Sequence, residues 1–317
     1  QLADEEVMSF FLTGGEPMMH PDFIEIVRYI SELGLDCFVL TNGTQLNEQV
    51  LRQIPKNIYF VMSFDGITSH SRSHGGLDFT SVKERFALLK KSGFPFSAQY
   101  VLHRENITDL EGTYRWCGDN EIDFAAIDLY PTGRAMKNPE IFLVEDNLDS
   151  MLRLARAKFE YEQVQSTWVD NRTDVPNPFY FSFIARLEEI FERSFSGTFF
   201  ASIASDGIVF PDNFHAGERM FPAGNIQEQD FAEIWENGFT EVRELCNWDN
   251  FTCCRSCPLS KYYCDFRLPV FSHNLHGNYN SCGTPEAQKY LMLERVRLRE
   301  KSSDVLSPDD ARERDNW

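Results

Sequence analysis

The chain reads as an α/β protein: a parallel sheet covered by helices, followed by a smaller cysteine-bearing module. Three observations predict this. Strand-like and helix-like segments alternate through the first half. The strand-like segments end in glycine or polar residues. Six of the eight cysteines, Cys246, Cys253, Cys254, Cys257, Cys264 and Cys282, fall in one late stretch.

Strand-like runs occupy residues 8–12, 36–41, 58–64, 96–102 and 125–130, with helix-like runs at 23–33, 47–54, 80–92 and 110–120. Strand, helix, strand at this rhythm implies parallel pairing with right-handed crossovers. In the third helix Val82, Phe86 and Leu89 share one face, and Gly93 and Pro95 supply the stop. Residues 2–7 read as the polar end of a further helix. After Gly133 the rhythm changes. Residues 148–164 and 181–195 look helical, and a Pro/Asn-rich stretch at 171–178 looks like a connector. Residues 201–210 read as a hairpin turning at Asp206-Gly207. A short helix carrying Ile234 and Trp235 precedes the cysteines. A last helix over 285–299 leads to a charged tail at 301–317.

Composition narrows the function. With 317 residues, 42% of them hydrophobic and 14% aromatic, the chain can bury a sizeable core. The formal net charge of −19 disfavours nucleic acid and anionic membranes as partners. No apolar run approaches the roughly 20 residues that span a bilayer. No secretory signal is visible, which points to the cytoplasm. The chain opens on Gln1 rather than Met, which is read as a sign that an N-terminal segment lies outside it.

Ligand sites in parallel α/β sheets lie beyond the carboxyl ends of the strands. The segments there are Gly14-Gly15-Glu16-Pro17, Thr41-Asn42-Gly43, Ser63-Phe64-Asp65-Gly66, residues 99–106, and Tyr130-Pro131-Thr132-Gly133-Arg134. Gly14 and Gly15 let a ligand approach the backbone, and Glu16 can hold an ammonium group. Asp65 can accept from ribose hydroxyls, and Ser63 can hold a carboxylate or a hydroxyl. Each has a plainer reading too, since Gly-Gly-Glu-Pro strings are usually simple turns. His20 reads as a turn residue. Cys37, Cys117 and Trp235 read as core. Asn106 reads equally as a cofactor contact or a loop cap. Arg134 could bind a substrate carboxylate or pair with Asp128.

Cys254, Cys257, Cys264 and Cys282 supply four thiolates whose spacing suits zinc or an iron–sulfur cluster equally. Cys253 adjoins Cys254, and either could be the first ligand, with spacing favouring Cys254. Cys246 reads as a buried thiol.

The ordered set Leu-Thr-Gly-Gly-Glu-Pro, Leu-Thr-Asn-Gly-Thr, Ser-Phe-Asp-Gly and Pro-Thr-Gly-Arg-Ala resembles radical S-adenosylmethionine enzymes with a SPASM-type C-terminal extension. So does Gly224-Asn225-Ile226 leading to Ile234-Trp235. The resemblance runs from Glu5 to about Tyr290. It implies a partial (β/α)6 TIM-like barrel, its first strand missing, over residues 1–140. A helical connector over 141–198, a SPASM/twitch-like auxiliary-cluster domain over 199–300 and the tail would follow.

It further implies S-adenosylmethionine as cofactor, its amino group cradled by Gly14, Gly15, Glu16 and Pro17. Asn42, Ser63 and Asp65 would sit nearby, the last two facing its carboxylate and ribose. The family's Arg after the Asp-Gly turn is His74 here, with Arg72 close by. Cys254, Cys257, Cys264 and Cys282 match one auxiliary [4Fe–4S] set. The second set's places hold no upstream cysteine, Asp212 (five positions after Gly207) and Leu268, so one auxiliary cluster is expected and Asp212 reads as a solvated turn residue. The Cys-x3-Cys-x2-Cys loop of the radical-generating cluster does not occur in the 317 residues. A second [4Fe–4S] cluster is therefore expected on a preceding segment, without which this stretch alone would be inactive. The implied activity is hydrogen abstraction from a peptide or protein side chain. Its partners would be that substrate, with a basic leader suited to the acidic surface, and an external electron donor. The rival is a non-catalytic peptide-binding protein with a zinc or Fe–S clip.

Overall fold

The computed structural model describes residues 2–5, 7–68, 78–143, 149, 196–247, 250–257, 268–286, 289–290 and 293. They fall into two compact units, with the chain passing from one to the other after Leu129.

In the first unit β1 (Ser9–Leu12), β2 (Asp36–Thr41), β3 (Tyr59–Ser63), β4 (Phe96–Leu102) and β5 (Asp123–Asp128) form one sheet in chain order, every neighbouring pair parallel. Helices α1 (Phe23–Glu32), α2 (Glu48–Leu51), α3 (Phe79–Ser92) and α4 (Leu110–Asp119) connect them. All five carboxyl ends therefore lie on one rim. Successive strand residues point to opposite faces. Cys37, Val39, Phe60 and Met62 pack with Phe23, Val27, Leu51, Phe86 and Leu89 of the helices. Phe38, Tyr59 and Val61 face the other way with Phe11 and Leu40. Both faces are thus apolar, which explains why β2 and β3 read as continuous hydrophobic runs rather than alternating ones.

Capping sets the helix ends. The Asp78 carboxylate accepts from the Ser81 amide at 2.8 Å at the start of α3, and Gly93 closes it at φ +70°. Asn47 caps α2 through the Val50 amide at 3.0 Å.

Three expectations shift. Residues 2–5 form a turn, with Glu5 N donating to Leu2 O at 3.3 Å, not the start of a helix. Helix α2 is only four residues long. Strand β5 begins two residues early because its ladder with β4 starts at Ser97–Asp123, which leaves Tyr130 outside the sheet. Arg72, His74, the helices expected over 148–164 and 181–195, the connector at 171–178 and the tail lie outside the described residues.

The second unit holds a small antiparallel sheet of β6 (Ser202–Ile203), β7 (Ile208–Phe210) and β8 (Gly224–Asn225). The hairpin turns at Asp206-Gly207 as expected. Gly207 has φ +82°, and a Cβ there would meet Asn225 Oδ1 at 2.5 Å, so only glycine fits. Helix α5 (Asn213–Glu218) follows β7. A helical turn α6 (Phe231–Glu233) runs into a π-helix over Ile234–Gly238, and α7 (Thr240–Leu245), α8 (Thr252–Arg255) and α9 (Pro269–His276) complete the described elements. Trp235 is half-buried rather than core, with the Arg243 guanidinium 5.3 Å above its ring. Among the described residues no helix is long and apolar enough to cross a membrane.

Candidate functional site

The rim is organised by Glu16. Its side chain accepts from the Met18 amide at 3.2 Å and so caps the 3-10 helix Pro17–Met19. It also reaches the end of β2, where the Thr41 hydroxyl lies 2.8 and 2.9 Å from its two oxygens and the Asn42 amide donates at 2.8 Å. Thr41 is buried, and its oxygen accepts in turn from the Gly43 amide at 3.0 Å. A carboxylate offers about four lone-pair sites. Three donors fill three of them, so Glu16 can accept one further N–H. Gly14 and Gly15 are exposed, with nothing within 4 Å of where a Cβ would stand, and Gly14 takes φ +130°. A cleft of about 460 Å³ lies against this loop, lined by Leu12, Thr13, Gly15, Glu16, Met19 and Phe23 among others. Asn42 spends its side-chain oxygen on the Thr44 amide and hydroxyl, at 2.9 and 2.7 Å.

Farther along the rim, Asp65 is buried and accepts from the Val101 amide at 3.3 Å, while Ser63 is half-buried. Asn106 is the loop cap, not an exposed contact. It is fully buried, accepts from the His103 amide at 2.9 Å and donates to the Val101 carbonyl at 2.8 Å. The Tyr100 hydroxyl donates to the Asn106 carbonyl at 2.6 Å. His20 is an exposed turn residue whose Nδ1 accepts from the Asp22 amide at 3.2 Å. Cys37 and Cys117 are core residues, and burial pushes the Cys37 thiol up to about 12 and the Cys117 thiol higher.

In the second unit Cys253, Cys254, Cys257 and Cys282 are half-buried and outside any disulfide, and Cys246 is buried. Cys264 lies outside the described residues. Cys253 Sγ stands 4.0 Å from Cys254 Sγ. Burial raises the Cys253 thiol, and the charge of Cys282 raises it further. Among the described residues no three metal-ligating side chains are gathered into a group.

Asp212 is the clearest departure from the sequence reading. It is buried, not solvated. It caps α5 through the His215 amide at 2.8 Å, and its Oδ2 receives both the His215 Nδ1–H at 2.8 Å and the Ser196 hydroxyl. Burial alone would raise this carboxyl. The hydrogen bonds and charge of His215, with the bond from Ser196, outweigh that and hold it below the usual carboxylate range. The donated Nδ1 proton leaves Nε2 of this fully buried ring, packed edge-on to Phe221, without a hydrogen-bond partner among the described residues. Ser196 donates to the carboxylate and not to the imidazole, so no serine nucleophile is activated. Leu268 is buried in an apolar cluster with Phe271, Tyr130 and Phe214. The signal for this network was Asp212-x-x-His215, a carboxylate and an imidazole three residues apart on one helical turn.

A family model described as the Radical SAM superfamily matches residues 1–117, and one described as SPASM, an iron–sulfur cluster-binding domain, matches residues 195–258. The chain carries a radical SAM domain over residues 1–117 and a SPASM domain over residues 195–258. An AdoMet-dependent heme synthase from Methanosarcina barkeri is 27% identical over 255 residues, covering 74% of this chain and 70% of that protein. A PqqA peptide cyclase from Gluconobacter oxydans is 27% identical over 250 residues, covering 74% of this chain and 64% of that protein. The chain thus spans less than two thirds of the cyclase. The solved structure of native anSMEcpe with bound AdoMet and Kp18Cys peptide superposes with a TM-score of 0.70 at 19% identity, over 94% of this chain and 86% of that one. That likeness is one of fold, and together with the family match over residues 1–117 it makes the five-stranded sheet a partial radical SAM barrel.

The residues of this radical SAM protein fit the cofactor its family implies. Glu16 retains one acceptor site, and the glycines beside it leave the backbone open. The cysteine donors fit a cluster by their chemistry, four thiols being the usual set. Asp212 is committed to Ser196 and His215, and Leu268 is enclosed by apolar side chains.

Proposed function

We propose that this chain is the catalytic body of a radical S-adenosylmethionine enzyme that modifies a peptide or protein side chain. The radical-generating [4Fe–4S] cluster would be held by residues outside these 317. One auxiliary [4Fe–4S] cluster would be held by Cys254, Cys257, Cys264 and Cys282, with Cys253 as the alternative first ligand. When bound and reduced by one electron from that cluster, S-adenosylmethionine would release methionine and supply the one-electron chemistry for removing a hydrogen atom from the substrate.

The chain's own residues bind and orient. The observation that carries the reading is Glu16, fixed by Met18, Thr41 and Asn42 and able to accept one more N–H, as the cofactor's ammonium requires. Backbone groups at Gly14 and Gly15 would complete the cradle. Asp65 would accept from the ribose and Ser63 would meet the carboxylate. Peptide is favoured as the substrate class by the cyclase relative and by the peptide bound in the anSMEcpe structure. An external donor would supply electrons. The acidic balance of 49 carboxylates against 30 basic residues would favour a basic leader.

The test is anaerobic reconstitution with iron, sulfide and zinc assayed per chain, followed by EPR. About four iron and four sulfide, lost in Cys257→Ala, are expected for the auxiliary cluster. One zinc and no sulfide would overturn that assignment and favour a peptide-binding protein with a structural clip.

A further inference from the structure

The segment Tyr130–Arg134 follows β5 in the chain, and four of its residues in succession are gripped by two helices of the second unit. Glu218, the last residue of α5, receives the Thr132 hydroxyl at 2.8 Å and the Gly133 amide at 2.6 Å on the same oxygen. Asn274, on α9, donates from Nδ2 to the Pro131 carbonyl at 2.9 Å and lies 3.5 Å from that Glu218 oxygen. The Tyr130 ring stacks on Phe271 of α9 at 5.2 Å and tilts against Phe214 of α5 at 4.7 Å. These partners are separated by up to 143 residues in sequence. Gly133 takes φ +56°, a backbone that favours glycine, and so presents its amide to the carboxylate. Arg134 beyond it is exposed.

Both helices are tied into further hydrogen bonds of the second unit, α5 at its start and α9 just past its end. Helix α5 starts from Asp212 and its buried bonds to Ser196 and His215. Helix α9 leads toward Cys282. The His276 Nε2–H donates to the Cys282 carbonyl at 2.9 Å. The Ser272 hydroxyl donates to the Asn278 carbonyl at 2.7 Å and accepts from the Ser281 amide at 2.8 Å. The backbone that carries Cys282 is therefore hydrogen-bonded to the helix whose Asn274 holds the turn.

We propose that Glu218 and Asn274 are positioning residues that fix the Pro131–Arg134 turn, and that loading the cysteine set through Cys282 tightens it. The clamp stands on geometry alone. The identity of the loaded group rests on the proposed function. Metal binding orders the segment around Cys282, α9 transmits that order as a rigid element, and the turn loses its open states.

Limited trypsin cleavage at the Arg134–Ala135 bond of the full chain tests this, before and after anaerobic reconstitution, with iron, sulfide and zinc measured on each sample. Cleavage of a transiently opened segment follows the population of the open state. Reconstitution is expected to slow the cut. Glu218→Ala is expected to speed it roughly tenfold, the effect of losing a pair of hydrogen bonds, with metal content unchanged. Glu218→Gln restores most of the protection because its amide oxygen still accepts. Asn274→Asp behaves like Glu218→Ala, since it sets a carboxylate against the Pro131 carbonyl.

Equal cleavage in wild type and Glu218→Ala would overturn the clamp, and protection that ignores metal loading would overturn the coupling. A parallel rise in cleavage at Arg28 within α1 would mark global unfolding and overturn the local role. Zinc loading that gives the same protection supports the inference while sinking the iron–sulfur reading.

Discussion

Among the described residues, strands in the parallel-sheet unit are four to seven residues long, whereas those in the cysteine-bearing unit are two or three. The first unit is ordered by apolar burial on both faces of its sheet. Its polar rim adds hydrogen bonds to a scaffold that already stands. Among its described residues the second unit has much shorter ladders. Around a small apolar core that includes Phe210, Phe239, Phe251 and Phe271, polar nodes tie its segments together: the buried Asp212 with Ser196 and His215, the half-buried Glu218 and Asn274 on the turn, and the half-buried Arg243, which donates to the carbonyls of Gly197 and Trp235 at 2.6 Å each. A region built this way depends on each charge keeping its partner and gains most from a metal cross-link.

Two truncations set the comparison at its extremes. Phe64 is fully buried among Phe79, Phe86 and Trp116. Phe64→Ala should cost about 3–5 kcal/mol. Asp212→Ala strands the buried His215 ring and Ser196 hydroxyl and should cost a similar amount, about 3–5 kcal/mol. The contrast lies in what rescues them. Metal loading should recover much of the Asp212→Ala loss and none of the Phe64→Ala loss. Hydrogen exchange resolved to segments, with and without reconstitution, reads both. Equal rescue of the two would break the contrast.

Acid should separate the units too. Asp212 is held below its usual range in the fold, so its stabilisation is fully present above the unfolded value of about 3.9. It is lost as pH falls from there through the folded value. Exchange protection around α5 should therefore fall below about pH 4. Asp212→Asn should lack that limb of the profile, and an identical limb in the variant would assign the acid loss elsewhere.

A middle-sized effect is expected at the rim. Thr41→Val keeps the shape but leaves Glu16 short of a donor and the Gly43 amide without its acceptor, for about 1–3 kcal/mol. Thr41→Ser should behave like wild type. Denaturant titration gives the stability, and calorimetric titration with S-adenosylmethionine should show weaker binding in the valine variant alone.

Legibility in the sequence followed the same divide. The strand runs and the amphipathic helix over α3 were readable because apolar burial imposes a period. The Gly14–Pro17 turn was readable because glycine and proline punctuate it. That Glu16 spends itself on Thr41 and Asn42 was not readable, since it joins loops 25 residues apart. Asp212 was misread as solvated for a related reason. A carboxylate beside a turn looks the same on the page whether its partner is water or His215, three residues away. The Glu218 clamp spans 85 residues and leaves no periodic trace.

The smallest effect concerns a residue where local conformation and charge oppose each other. Glu121 follows α4 at φ +57°, a left-handed geometry that suits glycine. It pairs with Lys90, whose Nζ lies 2.7 Å from Oε2 and also donates to the Asn120 carbonyl at 3.3 Å. Glu121→Gly relieves the strain, a gain of about 1 kcal/mol. It removes a surface ion pair, at a cost of about 0.2–1 kcal/mol. At low salt the two should nearly cancel. Raising the salt screens the pair but not the backbone strain, so the variant should become the more stable protein as ionic strength rises. Parallel urea titrations of Glu121→Gly and wild type in low and high salt measure the difference directly. A stability gap that does not move with salt would mean the pair contributes nothing at this helix end, leaving the left-handed backbone as the whole effect.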